Sequence, residues 1–231
     1  MANVLTIEEK LEWFSTQEGN SQHMYLDTVG VVTVGIGTAL FSASEASALA
    51  FVKRGTNDKS DKATIEAEWA DVKKQAPGKP ASSYKQYTKL DLPAEEVTRK
   101  FREHIATFED KLRAKWLSYS DFPKPAQLGL LDMIYNLGSF ADFGKLAAAV
   151  DKQDWTEAAK QCHRRGPSES RNRATKELFE NAAKLAANPT DGGASGVLVK
   201  KVGQVYADMA EATKPVAGGS APGILPGTKG P

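Results

Sequence analysis

Only one stretch of this chain is composed like β-strand. Tyr25, Val29, Val31, Val32, Thr33, Val34 and Ile36 crowd into a dozen positions, and Asp27-Thr28-Val29-Gly30 among them has turn chemistry. The pattern predicts a short hairpin over 23–37 with a glycine-rich exit at Gly35 and Gly37. A lone hairpin is marginal in water, so it needs helices to cover it. The chain supplies them, and the expected class is α+β, mainly α.

The helical signals are local. Thr6 with Glu9 makes a capping box, and Ile7, Leu11 and Phe14 follow at helical spacing. Ser42 with Glu45 predicts a second capped helix ending near Gly55. A polar helix is expected over 64–75, and loop over 76–90, where Pro77-Gly78 and Pro80 break the chain. Val97, Phe101, Ile105, Phe108 and Leu112 then form a long apolar stripe, with Pro93 tolerated at its start. Further helices are expected over 125–137, stopping at Gly138, after the Asp154/Glu157 cap, and around Leu178, Phe179, Ala182 and Leu185. Residues 189–214 read as a linker and an additional amphipathic helix. Residues 215–231, rich in Pro and Gly, read as a flexible tail that cannot bury enough apolar surface to order itself.

Composition removes several classes of function. Lys and Arg number 30 against 29 Asp and Glu, a net charge of +1, which gives no general field for nucleic acid. The single cysteine, Cys162, excludes an internal disulfide. The three histidines have no ligand spacing, and neither HExxH nor CxxC occurs, so no metal or other cofactor is expected. Gly35-x-Gly37 lacks a third glycine and a following Walker lysine, against nucleotide binding. Glu8, Glu9 and Glu12 occupy the place of a signal peptide's basic and apolar regions, so synthesis without a Sec-type signal is expected.

A polar set remains around the hairpin. Glu18 and Gly19 fall where the first helix should end, Asp27 lies at the turn, and Thr33 on the return strand. Two carboxyls facing one cleft are the minimum apparatus for glycoside hydrolysis: one protonated to donate to the leaving oxygen, one ionised to activate water or attack carbon. On spacing alone, a solvated helix-end Glu, a turn Asp and a strand Thr account for these residues better.

The full wording is more specific. Glu18-Gly19, Tyr25-x-Asp27-Thr28-x-Gly30 and Thr33-Val34-Gly35-Ile36-Gly37 closely resemble the active-site hairpin of the phage-type lysozymes, glycoside hydrolase family 24. Leu131-Asp132-Met133-Ile134-Tyr135-Asn136-Leu137-Gly138 resembles that family's core helix, Asp154-Trp155-x-x-Ala158-Ala159 its W-x-E-A-A helix, and Asn172-Arg173-Ala174 its N-R-A element. The resemblance covers about residues 6–186. It implies a two-lobed lysozyme-like domain over 1–188: a hairpin lobe about 18–90, a connecting helix about 93–113 and a helical lobe about 120–188. It implies Glu18 as catalytic acid, Asp27 as second carboxylate and Thr33 beside the attacking water. Tyr135 and Asn136 fall on the substrate side, and Arg173 matches an arginine that pairs with the catalytic Glu. Three departures stand out: Thr38 where the family often has His, a longer stretch from Thr38 to Leu90, and no counterpart beyond about 188.

The implied activity is that of a muramidase cleaving the β-1,4 bond between N-acetylmuramic acid and N-acetylglucosamine. The partner is peptidoglycan, reached in the periplasm or wall by holin, phage tail or secretion system, and the chain is expected to be a monomer. A delivery spike or an immunity protein is a further implied partner. The rivals are a lytic transglycosylase, which needs only one acidic residue, and a catalytically silent wall-binding module of the same shape. Between Lys160 and Lys176, Arg164, Arg165, Arg171 and Arg173 add to the two lysines against one acid, Glu169. Such a stretch serves either as a basic lip for an anionic polymer or as a solvated helix face.

Overall fold

In the computed structural model of this chain, which describes residues 4–188, the first helix starts at the Thr6 capping box. The Glu9 amide donates to Thr6 Oγ1 at 3.2 Å, and the Thr6 amide donates to Glu9 Oε2 at 2.7 Å. Two otherwise orphaned donors are thereby satisfied, and α1 runs Ile7–Glu18. The described residues form two compact units. One comprises residues 4–16 with 105–188, the other residues 17–104. Among the described residues the class is α+β and mainly α, with 59% helix and a small antiparallel sheet. The readings for 189–214 and 215–231 lie outside the described residues.

In the second unit, β1 (Ser21–Leu26) pairs antiparallel with β2 (Val32–Gly35), and β2 with β3 (Thr38–Leu40). The hairpin thus extends to a third strand that follows the glycine-rich exit directly. Met24, Leu26, Val32 and Val34 are buried, so the sheet is a core element. Helix α2 is short, Ala43–Ser47, and does not reach Gly55. The chain leaves it to form β4 (Val52–Lys53), which pairs with β5 (Leu90–Asp91). Between them lie α3 (Lys62–Lys73) and a 3₁₀ segment, Ala81–Tyr87, in the stretch expected to be loop. Arg54 ties this region together. Its guanidinium reaches the Asp91 carboxylate, the Thr88 carbonyl at 2.8 Å and the Thr88 hydroxyl at 2.7 Å.

Gly35 shows how tightly the sheet is packed. Its φ is +64°, and a Cβ there would lie 3.0 Å from Val97 Cγ1 and 3.3 Å from Cγ2. Both the left-handed backbone and the close valine exclude a side chain. Gly35→Ala is expected to cost about 1–3 kcal/mol, read as a lower midpoint in denaturant titration. An alanine variant as stable as the parent would contradict this packing.

Helix α4 (Ala94–Lys115) carries the long stripe: Val97, Phe101, Ile105, Phe108 and Leu112 are all buried. In the first unit, α5 (Lys124–Leu137) is buried on nearly every side, as its near-continuous apolar sequence requires. Next come α6 (Gly144–Asp151), α7 (Trp155–Gln161) and α8 (Glu169–Ala187). Asp154 and Ser168 cap α7 and α8, accepting from the amides of Glu157 and Arg171. The Trp155 ring sits 5.0 Å from Phe122 and 6.5 Å from Phe179, measured between centroids, binding α7 and α8 into one core. No described helix is long and apolar enough to cross a membrane.

Candidate functional site

Glu18 is the last residue of α1 and is partly buried. Gly19 follows with φ +74°, turning the chain sharply from helix into β1. The two sit together because the helix must end before the hairpin begins, and glycine takes the left-handed exit at no steric cost.

Asp27 closes the hairpin turn. Its side chain is 1% exposed, and Oδ1 accepts from the Val29 amide at 3.0 Å and the Val31 amide at 2.7 Å. Backbone bonds from the Asp27 amide to the Val31 carbonyl and from the Gly30 amide to the Asp27 carbonyl complete the loop. A short carboxylate that mimics a backbone acceptor is what this turn requires. The same bonds hold the carboxylate plane in one orientation. Thr33 is buried on β2 directly opposite Tyr25 on β1, and its hydroxyl donates to the Val31 carbonyl at 3.2 Å.

Tyr25 connects these groups. Asp27 follows Tyr25 by two residues, just past the end of β1, and Thr33 opposes Tyr25 across the ladder. Burial raises the Tyr25 hydroxyl well above the ordinary tyrosine value, and the charges of Glu18 and Asp27 both raise it further. One neutral phenol therefore lies within electrostatic reach of both carboxyls, in one unit, beside Thr33. Tyr25 figured in the motif only as a sequence marker. Its position two residues before the turn carboxylate was the available signal of its proximity to them.

The remaining sequence candidates lie in the other unit. Asn136, on the last turn of α5, is partly exposed, yet its Nδ2 is buried without a hydrogen-bond partner. Tyr135 is a core residue. Its ring packs 4.5 Å from Phe14 and 5.5 Å from Phe108, and only 3% is exposed. Arg173 is exposed on α8.

The basic stretch divides in the same way. Arg164 and Arg171 are buried on Asp132, at 2.7 and 2.8 Å. Trp13 Nε1 reaches the same carboxylate at 3.1 Å, and the Thr175 hydroxyl at 2.8 Å. Two of the six basic residues are thus internal, and the lip narrows to Lys160, Arg165, Arg173 and Lys176. Cys162 is buried, and burial pushes its thiol up to about 11, so it stays protonated and unreactive near neutral pH. Among the described residues no group of three or more His, Cys, Asp or Glu is placed to hold a metal ion.

Comparison with known proteins gives no match: neither a family model, a curated protein nor a solved structure corresponds to this chain. The functional reading therefore stands on the residues and their arrangement.

Proposed function

We propose that this chain is a peptidoglycan hydrolase, a muramidase, with Glu18 as general acid and Asp27 activating water beside Thr33. The observation that supports it is the joint action of Glu18 and Asp27 on the Tyr25 hydroxyl, with Thr33 directly across the ladder. Hydrolysis of a glycosidic bond asks for two carboxyls with different duties and a polar group to hold water. Asp27 is oriented by two backbone amides, Glu18 sits at a helix end, and Thr33 supplies the hydroxyl. A wall substrate lies beyond the cytoplasmic membrane, so a holin, phage tail or secretion machine would deliver the enzyme.

One observation favours a second reading. Asp27 Oδ1 is engaged in closing the turn, a structural duty. Were that its whole duty, Glu18 alone would suit a lytic transglycosylase, which uses an internal hydroxyl in place of water. Product chemistry decides between them. Digested sacculi analysed by mass spectrometry and proton NMR are expected to show reducing muropeptides, released first as the α-anomer, the inverting outcome. A dominant product lighter by one water, carrying a 1,6-anhydro ring, would establish the transglycosylase. Initial release of the β-anomer would refute water activation by Asp27 in an inverting site.

A further inference from the structure

The hairpin turn at 27–31 is gripped by the chain that follows the sheet, within the stretch 38–90 that runs longer than in the phage-type lysozymes it resembles. Lys73, the last residue of α3, donates from Nζ to the Gly30 carbonyl at 2.6 Å. Gly30 takes φ +80°, and Pro77 packs against it, its Cβ and Cγ 3.8 and 3.9 Å from where a side chain would begin. The chain beside Pro77 is itself held. The Tyr84 hydroxyl donates to the Ala76 carbonyl at 2.7 Å, and Tyr84 is buried. The 3₁₀ segment that carries Tyr84 is fastened to β1, where His23 Nε2 donates to the Ala81 carbonyl at 2.8 Å.

We propose that Lys73 is a positioning residue for Asp27, acting through the peptide unit that joins Gly30 to Val31. The proposal rests on the muramidase reading, in which Asp27 activates water. The Gly30 carbonyl and the Val31 amide belong to one planar trans unit, so they point in opposite directions. Lys73 holds the carbonyl end, and the amide end donates to Asp27 Oδ1 at 2.7 Å. The ammonium thus fixes the plane from which the carboxylate takes its shorter backbone bond; the other comes from the Val29 amide at 3.0 Å. A cation on the carbonyl also polarises the unit and makes its N–H a stronger donor.

Two features set this bond apart from an ordinary surface contact. It joins residues 43 apart in the chain, whereas the adjacent Lys74 turns to Asp71 beside it on α3, at 3.0 Å. It also acts together with Pro77, so the Gly30–Val31 unit is placed by a bond at its oxygen and by packing at its Cα. Lys73 is exposed, and replacing it opens no cavity.

The test compares the full chain with Lys73→Met, Lys73→Arg and Lys74→Met. Methionine keeps the stem and removes the donor, arginine restores a donor, and Lys74→Met removes the same charge one residue along. Rates on soluble, uncross-linked glycan strands separate kcat from KM, and amide hydrogen exchange by NMR reads the Val31 bond. Lys73→Met is expected to lower kcat roughly tenfold, inside the loss of about 10²-fold that a misplacement of about 1 Å can cause. Its KM and melting point should stay near the parent's, and its Val31 amide should exchange faster. Lys73→Arg should recover most of both effects, and Lys74→Met should match the parent. A parent-like kcat in Lys73→Met would overturn the proposal, as would a loss confined to KM. An equal loss in Lys74→Met would trace the effect to overall charge and overturn it too. A melting point lowered alike by methionine and arginine would make Lys73 a residue of the fold and not of the site. A parent chain that leaves the strands intact would refute the muramidase reading. The tether is judged apart from that by exchange, and a Val31 amide as protected in Lys73→Met as in the parent would refute it.

Discussion

Glu18→Gln is expected to lower peptidoglycan cleavage by about 10²–10⁴-fold while the protein remains folded. The substitution keeps the side chain's length and shape and removes only its ability to hand over a proton. Glu18 ends α1 and is partly buried, so an amide meets no steric obstacle. Release of dye from labelled cell walls gives the rate, and circular dichroism gives the fold. Near-parental activity in a folded variant would remove Glu18 from the chemistry and the proposed function with it. An inactive, unfolded variant would move the test to Glu18→Asp, which keeps the proton but shortens the reach. That variant should fold and retain a measurable fraction of activity, and a folded but fully silent Asp variant at every pH would count against acid catalysis at this position.

The parts of this structure that were legible in the sequence are those set by residues near one another along the chain. The Thr6/Glu9 box starts α1, the Ser42 cap starts α2 and Asp154 caps α7 because each cap reaches only three residues. The stripe from Val97 to Leu112 specified one face of α4 in the same way, since helical period is local. What escaped notice depends on distant partners. Strands β4 and β5 are two residues each, too short for alternation to show, and they exist because Val52 pairs with Asp91 and Lys53 with Leu90. That long-range pairing also explains why α2 stops at Ser47 instead of running on towards Gly55.

The candidate site divides along the same line. Glu18, Asp27 and Thr33 were placed by a helix end, a turn and a strand that local chemistry announces. Tyr135 and Arg173 are marked by their positions in motifs; that one is buried and the other exposed is a tertiary property that local pattern does not carry. Arg164 and Arg171 read as solvated because nothing near them in the chain is apolar enough to suggest otherwise. The signal lay elsewhere: Asp132 stands inside Leu130-Leu131-Asp132-Met133-Ile134, and a carboxylate within such a run must find cations or leave its charge unpaired in the core.

That demand makes Asp132 the residue whose loss should most damage the fold. Its Oδ1 accepts from Arg171 Nη2 at 2.8 Å and from Trp13 Nε1 at 3.1 Å, and its Oδ2 from Arg164 Nη2 at 2.7 Å and the Thr175 hydroxyl at 2.8 Å. Burial alone would raise this carboxyl, but the guanidiniums of Arg171 and Arg164 outweigh it and hold Asp132 well below the ordinary range. Asp132→Asn leaves two guanidiniums in the interior facing a neutral amide whose NH₂ competes with them as a donor. Breaking a buried pair from one side costs about 3–5 kcal/mol, which for a chain this size corresponds to a melting point lower by roughly 10 °C. The pH dependence follows from the direction of the shift. The native state keeps Asp132 ionised where the unfolded chain takes up a proton, so its contribution is complete above the unfolded value of about 4. It drains as pH falls towards the lower native value. Parent and variant melting curves are therefore expected to lie far apart at pH 7 and to converge on acidification below pH 4. Equal melting points at pH 7, or a gap that widens in acid, would show that this carboxylate does not hold the unit together.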